Sequence, residues 1–262
     1  MAAAWAALRA GHDVDFYAKG LDKSQLFGCQ YLHAPIPLPR SYNIASAKVE
    51  YKLVGTAEEY RAKVYGGSYK GRVSPEDLEG EHYAWDIRAT YDALWSIITS
   101  NKRVSIYPVG ITASWLAAST TALSRYAHVI STIPAFALCD QAVHHPAQEG
   151  HYFASHSVKA RGGREGYPFG DTEGDVIVCD GTDAVAWYRS AVVFGYRTTE
   201  WPRTFRPGIG GLPIVSVRKP LQTDCDCHPE IIRLGRYGQW KKGVLVHQVF
   251  QAAEKLMNGE WA

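Results

Sequence analysis

An α/β architecture is predicted by three observations. The chain opens with a run of helix formers, Ala2 to Ala10, closed by Gly11 and followed at once by the alternating segment Asp13 to Tyr17, so that helix, glycine and short strand form half of a βαβ unit. Its second half accumulates short apolar runs bounded by turn residues. It closes with a helical stripe, Val246, Val249, Phe250, Ala253 and Leu256, within Gly243 to Leu256.

The elements follow in order. Gly20 to Pro39 holds Gly28, Pro35, Pro37 and Pro39, which enforce an extended loop expected to line a site. Glu58 to Tyr65 predicts a short helix and Gly66 to Gly71 a turn, and Ser74-Pro75-Glu76-Asp77 reads as the start of another helix, with a Ser cap and Pro at its first position. Asp86 to Thr99 carries Ile87, Tyr91, Leu94, Trp95 and Ile98 on one stripe, the clearest helix of the middle. Strands are expected over Arg103 to Tyr107, Ala127 to Thr132, His151 to Val158, Asp175 to Cys179, Ala191 to Thr198, Ile214 to Val217 and Glu230 to Leu234. Gly162 to Gly174, with five glycines, predicts a surface loop.

The 262 residues, 46% hydrophobic and 21% charged, suffice for one generous core or two modest ones. A formal net charge of +2 builds no broad positive field, so a nucleic-acid partner is not expected. The longest apolar runs fall short of the roughly 20 residues that span a bilayer, and the N-terminal run lacks a preceding basic residue, so neither membrane span nor signal peptide is expected. Cys29, Cys139, Cys179, Cys225 and Cys227 are odd in number and mostly scattered, which predicts reduced thiols in a cytoplasm and assigns no redox role.

Motifs for chemistry are sparse. Pro207-Gly-Ile-Gly-Gly-Leu-Pro213 is followed by a β-type run rather than a helix, so it reads as a turn and not as a phosphate loop. Cys225-Asp-Cys227-His228 is spaced more tightly than structural zinc ligands usually are, and no metal is assigned to it or to His144, His145, His151 and His156. Trp187, Tyr188 and Arg189 concentrate rings and a guanidinium, which can stack on a planar ligand or clamp an anion, or equally form a half-buried sheet face. From Ile231 through Gly235-Arg236-Tyr237-Gly238 to Trp240 and His247 a strand is expected to run through two glycines into a helix, a junction suited to an anion or ring carbonyl.

With those residues in view, the chain resembles FAD-dependent oxidoreductases of the glutathione-reductase-like fold, the group holding amine oxidases, protoporphyrinogen oxidase and UDP-galactopyranose mutase. Ala2 to Tyr17 looks like the first helix and second strand of an FAD-binding Rossmann unit, Val129-Ile-Ser-Thr-Ile-Pro-Ala135 like the strand and turn that return to it, and Gly235 to Trp240 like the C-terminal FAD motif. The resemblance implies a Rossmann-like FAD-binding domain, N-terminally truncated, from residues 1–35, 100–140 and 225–262, with an inserted mixed-sheet substrate domain from 36–99 and 141–224. It implies FAD contacts at Gly28, Cys29, Gln30, Thr132, Pro134, Gly235, Arg236, Tyr237, Gly238 and Trp240. A small-molecule substrate would meet Tyr31, His33, Trp187, Tyr188 and Arg189, with Arg189 as anion partner; no catalytic acid or base is named. A mutase-like flavoenzyme acting on a nucleotide sugar and a non-catalytic binding protein of the same fold stay open as alternatives.

The sequence departs from the family at one end. The Gly-x-Gly-x-x-Gly loop and its strand would stand ahead of Ala2, and Ala18 and Lys19 occupy the region where an acidic residue usually meets the ribose. A start upstream of Met1 is the favoured expectation, a shortened relative the other.

Overall fold

The computed structural model describes residues 1–19, 29–66, 71–139, 151–159, 174–202, 215–219, 227–241 and 243–260, the segments 151–159 and 215–219 through their backbone. Gly20 to Gly28, Cys225, the Gly162 to Gly174 loop up to its last residue, the inner residues of the Gly66 to Gly71 turn and the Pro207 to Pro213 turn fall outside the described residues. The architecture is mixed α/β.

Helix α1 (Ala2–Arg9) ends at Ala10, and Gly11 reverses the chain at φ +90° before strand β1 (Val14–Tyr17). β1 pairs in parallel with β4 (Val104–Tyr107), in register Val14 with Val104 through Tyr17 with Tyr107. A second parallel pair joins β5 (Ile130–Ser131) to β11 (Ile232–Arg233). α1 spans both pairs. Its Ala4 and Leu8 meet Val14, Phe16, Val104 and Ile106, while Ala2 and Ala6 share a core with Ile130, Ile232 and Leu234. The amphipathic α6 (Val246–Met257) packs on α1 through Phe250 and Ala253. The expected strand-and-helix nucleus is therefore present, and small alanines let the helices approach closely.

The larger sheet has seven strands in the order β10-β6-β9-β8-β7-β2-β3, with bounds β2 (Ser46–Val54), β3 (Gly80–Trp85), β6 (His151–Lys159), β7 (Asp175–Asp180), β8 (Arg189–Val193), β9 (Tyr196–Pro202) and β10 (Val215–Lys219). Among the described residues of this sheet only β2 and β7 run parallel and the other neighbours are antiparallel, so the sheet is mixed. Helix α2 (Ala57–Tyr65) covers one face, burying Tyr60, Val64 and Tyr65 against Val49, Ile177, Cys179 and Ala191. A capping box fixes its start: Thr56 Oγ1 accepts from the Glu59 amide, and Glu59 Oε2 accepts from the Thr56 amide at 2.8 Å.

Several expectations need correction. Ser74 to Asp77 starts only a single 3₁₀ turn, Pro75–Asp77, with Pro at its first position as expected, and the Ser74 hydroxyl meets the Glu76 side chain instead of a backbone amide. Ala191 to Thr198 is not one strand. Phe194 and Gly195 both take positive φ, 49° and 72°, and fold the run into the β8–β9 hairpin, the turn geometry that matches strand twist. Helix α4 (Ala113–Leu123) and the strands β2 and β3 were not anticipated.

Helix α3 (Ile87–Ser100) is capped by Asp86, whose carboxylate accepts from the Arg88 and Ala89 amides. It belongs by packing with α1: Leu94 and Ile98 join the cores that hold Ala2, Ala4 and Leu8. Residues 87–99 thus lie with the first parallel pair rather than with the large sheet, while Tyr31 and Cys29 pack into the large sheet's core. The segment 29–39 links the two bodies, bridging β3 at Leu32–Trp85 and burying Ile36 beside Leu94.

Candidate functional site

The segments that follow three parallel strands converge. After β1 come Ala18 and Lys19, after β4 Val109, Gly110 and Ile111, and after β5 Thr132, Ile133 and Pro134; all of them line one cavity of about 610 Å³. Its floor includes Ala3, Ala4 and Ala7 of α1. In open α/β sheets a crevice beyond the carboxyl ends of parallel strands is where ligands bind.

Aromatic groups gather at one side. Tyr17, at the end of β1, stacks on Tyr107 at the end of β4, with centroids 4.7 Å apart, and tilts against Trp115 at 5.6 Å. The Tyr17 hydroxyl lies 3.2 Å from that of Tyr126, which donates to Asp15 and accepts from Arg125. Burial and the Asp15 carboxylate that takes its hydrogen bond push the Tyr126 hydroxyl up to about 12, so it stays a donor at neutral pH. Lys19 lays its stem along Gly110, where a Cβ would sit 3.3 Å from Lys19 Cδ. None of Asp15, Tyr17, Trp115 and Tyr126 was singled out from sequence. The available signal was position, since Tyr17 and Tyr107 end strands of one parallel pair.

The expected cofactor residues divide. Thr132 and Pro134 stand in the cavity wall. Gly235 to Gly238 form a single helical turn, α5 (Gly235–Gly238), directly after β11. The anticipated continuous entry into a long helix does not occur: Gln239 to Leu245 intervene before α6, so the turn has no long-helix dipole behind it. What α5 does have is proximity. A Cβ on Gly238 would stand 2.7 Å from the Ser131 carbonyl oxygen and 3.2 Å from Thr132 Cα, so this backbone lies directly on the end of β5. Arg236 has a buried Nε with no hydrogen-bond partner. Tyr237 is held above the usual phenol range by burial, and Trp240 is buried at φ 48° with its ring edge-on to Phe136 at 4.9 Å.

Cys29 and Gln30 lie elsewhere, toward the large sheet, with Gln30 exposed. The Cys29 thiol donates to the Tyr196 carbonyl at 2.9 Å and the Ala191 carbonyl at 3.2 Å, and burial pushes it up to about 11. A thiol held neutral and already donating is a poor nucleophile. Cys29 is therefore expected to resist iodoacetamide at pH 7.5 in the folded chain and to react only on unfolding, by at least a hundredfold in rate; peptide mapping of native against denatured labelling checks this.

The five expected substrate residues gather around the large sheet. The Tyr31 and His33 rings lie tilted at 42° with centroids 4.6 Å apart, and the Tyr31 hydroxyl lies 2.6 Å from that of Tyr51 on β2. His33 is held below the usual imidazole range by desolvation first, then by His247, His82 and Arg189. Tyr188 is fully buried and donates to Glu200 Oε2 at 2.7 Å; Arg189 pairs with Glu200 Oε1 through Nε at 2.8 Å and through Nη2. Arg189 is thus already engaged by a buried carboxylate, and an external anion would have to compete with it. Trp187 is half-buried beside Tyr188.

Among the described residues no group of three or more His, Cys, Asp or Glu side chains is arranged to hold a metal ion, and no helix is long and apolar enough to cross a membrane. No protein-family model matches the sequence, and no curated protein matches it significantly.

Proposed function

We propose that the chain is an FAD-dependent oxidoreductase with a Rossmann-like FAD-binding body, acting on a small molecule. One observation carries the reading: the segments after β1, β4 and β5 line one cavity, which also runs along β1 from His12 to Tyr17, and parallel-strand folds hold dinucleotides beyond such strand ends.

The donor set fits the cofactor. Arg236 is half-buried and its buried Nε has no acceptor among the described residues, one that a phosphate oxygen would supply. Lys19 puts a positive charge in the cavity wall itself. Tyr17 and Trp115 offer ring faces to adenine, and Thr132 and Pro134 border the same space. The glycine at 238 keeps the α5 backbone against β5, leaving no side chain between turn and strand. Bound there, a flavin would supply hydride acceptance from a substrate carbon. The residues Tyr31, His33 and Tyr51, facing one another on the large sheet's side, would orient that substrate.

Adding micromolar FAD to the purified chain is expected to raise flavin fluorescence anisotropy, and Arg236→Met is expected to weaken the uptake about tenfold, the worth of one charge-assisted hydrogen bond. Absence of any uptake by the folded chain would overturn the reading.

A further inference from the structure

Cys139 and Cys227 are 88 positions apart in the chain, yet their sulfur atoms lie 3.2 Å from each other. Both stems are anchored. Leu138, the neighbour of Cys139, shares a buried cluster with Ile231, four residues after Cys227. Arg233 donates its Nη2 to the Cys227 carbonyl, and the Ile231 amide donates to the His228 carbonyl at 3.0 Å. Phe136 and Trp240 close the same junction with their ring contact. The sulfurs need approach only about 1.2 Å further to reach the ~2.05 Å bonded separation.

We propose that Cys139 and Cys227 form a reversible redox site, closing to a disulfide under peroxide. One thiolate attacks a peroxide oxygen; the O–O bond breaks, and the sulfur leaves as a sulfenic acid with one water released. The second thiol attacks that sulfur, the S–S bond forms and the sulfenic oxygen departs as a second water, so two thiols give up two electrons to one hydrogen peroxide.

The location gives the bond a consequence. The two cysteines bracket residues 140–226, which contain β6 through β10, and Leu138 and Ile231, near them in the chain, line the same cavity as Thr132 and Pro134. Oxidation ties together the points where the chain leaves the cavity body for the large sheet and where it returns. The site stands independently of whether a flavin binds.

The full chain is treated with hydrogen peroxide, denatured, and its remaining thiols are trapped with N-ethylmaleimide. Five cysteines should give three adducts after oxidation, with a cross-linked peptide joining Cys139 to Cys227, and dithiothreitol should restore all five. The oxidised form should melt several degrees higher, because closing a long loop restricts the unfolded chain. Cys225→Ser should leave the cross-link intact, and Cys139→Ser should abolish it. Five adducts after oxidation, or a cross-link that maps to Cys225 or Cys29, overturns the proposal; direct mapping on the unaltered chain decides even where a variant fails to fold.

Discussion

Glu200→Ala is expected to cost about 3 kcal/mol of stability, the lower end of what breaking a buried charge pair costs. Glu200 has 8% of its side chain exposed, and its two oxygens are divided between the Tyr188 hydroxyl and the Arg189 guanidinium. Removing it takes a carboxylate acceptor from a phenol with no exposure and from a guanidinium one-third exposed; that partial exposure is the reason for the low end. The register sets the arrangement, because Arg189 on β8 lies directly across from Glu200 on β9 and from Cys179 on β7. Urea unfolding of Glu200→Ala should show the loss with unchanged slope. The double variant Glu200→Leu with Arg189→Met should recover most of it, since apolar replacement of both partners removes the unpaired charge. A loss below about 1 kcal/mol in the single variant would mean that the pair behaves as a surface bridge.

The same cluster shows where sequence reading stops. Local signals placed α1, Gly11, β1, α3 and α6, because each is written in neighbouring residues: helix formers, a helix-ending glycine, a short alternating run, a stripe at helical spacing. The Phe194-Gly195 turn was not legible, since only the second residue favours positive φ and the flanking run from Ala191 to Thr198 is continuously β-forming. Without that turn Glu200 cannot be seen as the partner of Arg189, and Arg189 reads as an available anion clamp. β2 was legible in principle from the alternation of Ala47, Val49, Tyr51 and Leu53 with Lys48, Glu50 and Lys52. The Cys139–Cys227 approach and the convergence of three strand ends on one cavity are tertiary facts, set by pairings between segments up to about 100 residues apart, and no local pattern encodes them.

Gly238→Ala is expected to lower stability by about 2 kcal/mol and, on the flavin reading, to weaken FAD uptake at least tenfold. The reason is space, since Gly238 is not among the positive-φ residues. An added methyl would meet the Ser131 carbonyl oxygen at 2.7 Å and Thr132 Cα at 3.2 Å, and both are backbone atoms that cannot swing aside as a side-chain tip can. The Ser131 carbonyl also accepts from the Leu234 amide at 2.9 Å, so relieving the clash loosens the bond that holds β5 to β11. The wall residues Thr132 and Pro134 would move with it. Gly235→Ala provides the contrast: its φ of +81° makes the substitution strained, but a Cβ there has only Val249 Cγ2 within reach, at 3.5 Å, so its cost should be about 1 kcal/mol of backbone strain without displacement of β5. Urea midpoints and FAD anisotropy measured on both variants separate the two effects. If Gly238→Ala binds FAD as the unaltered chain does while losing stability, α5 is a packing turn, and the cofactor contacts assigned to it fall.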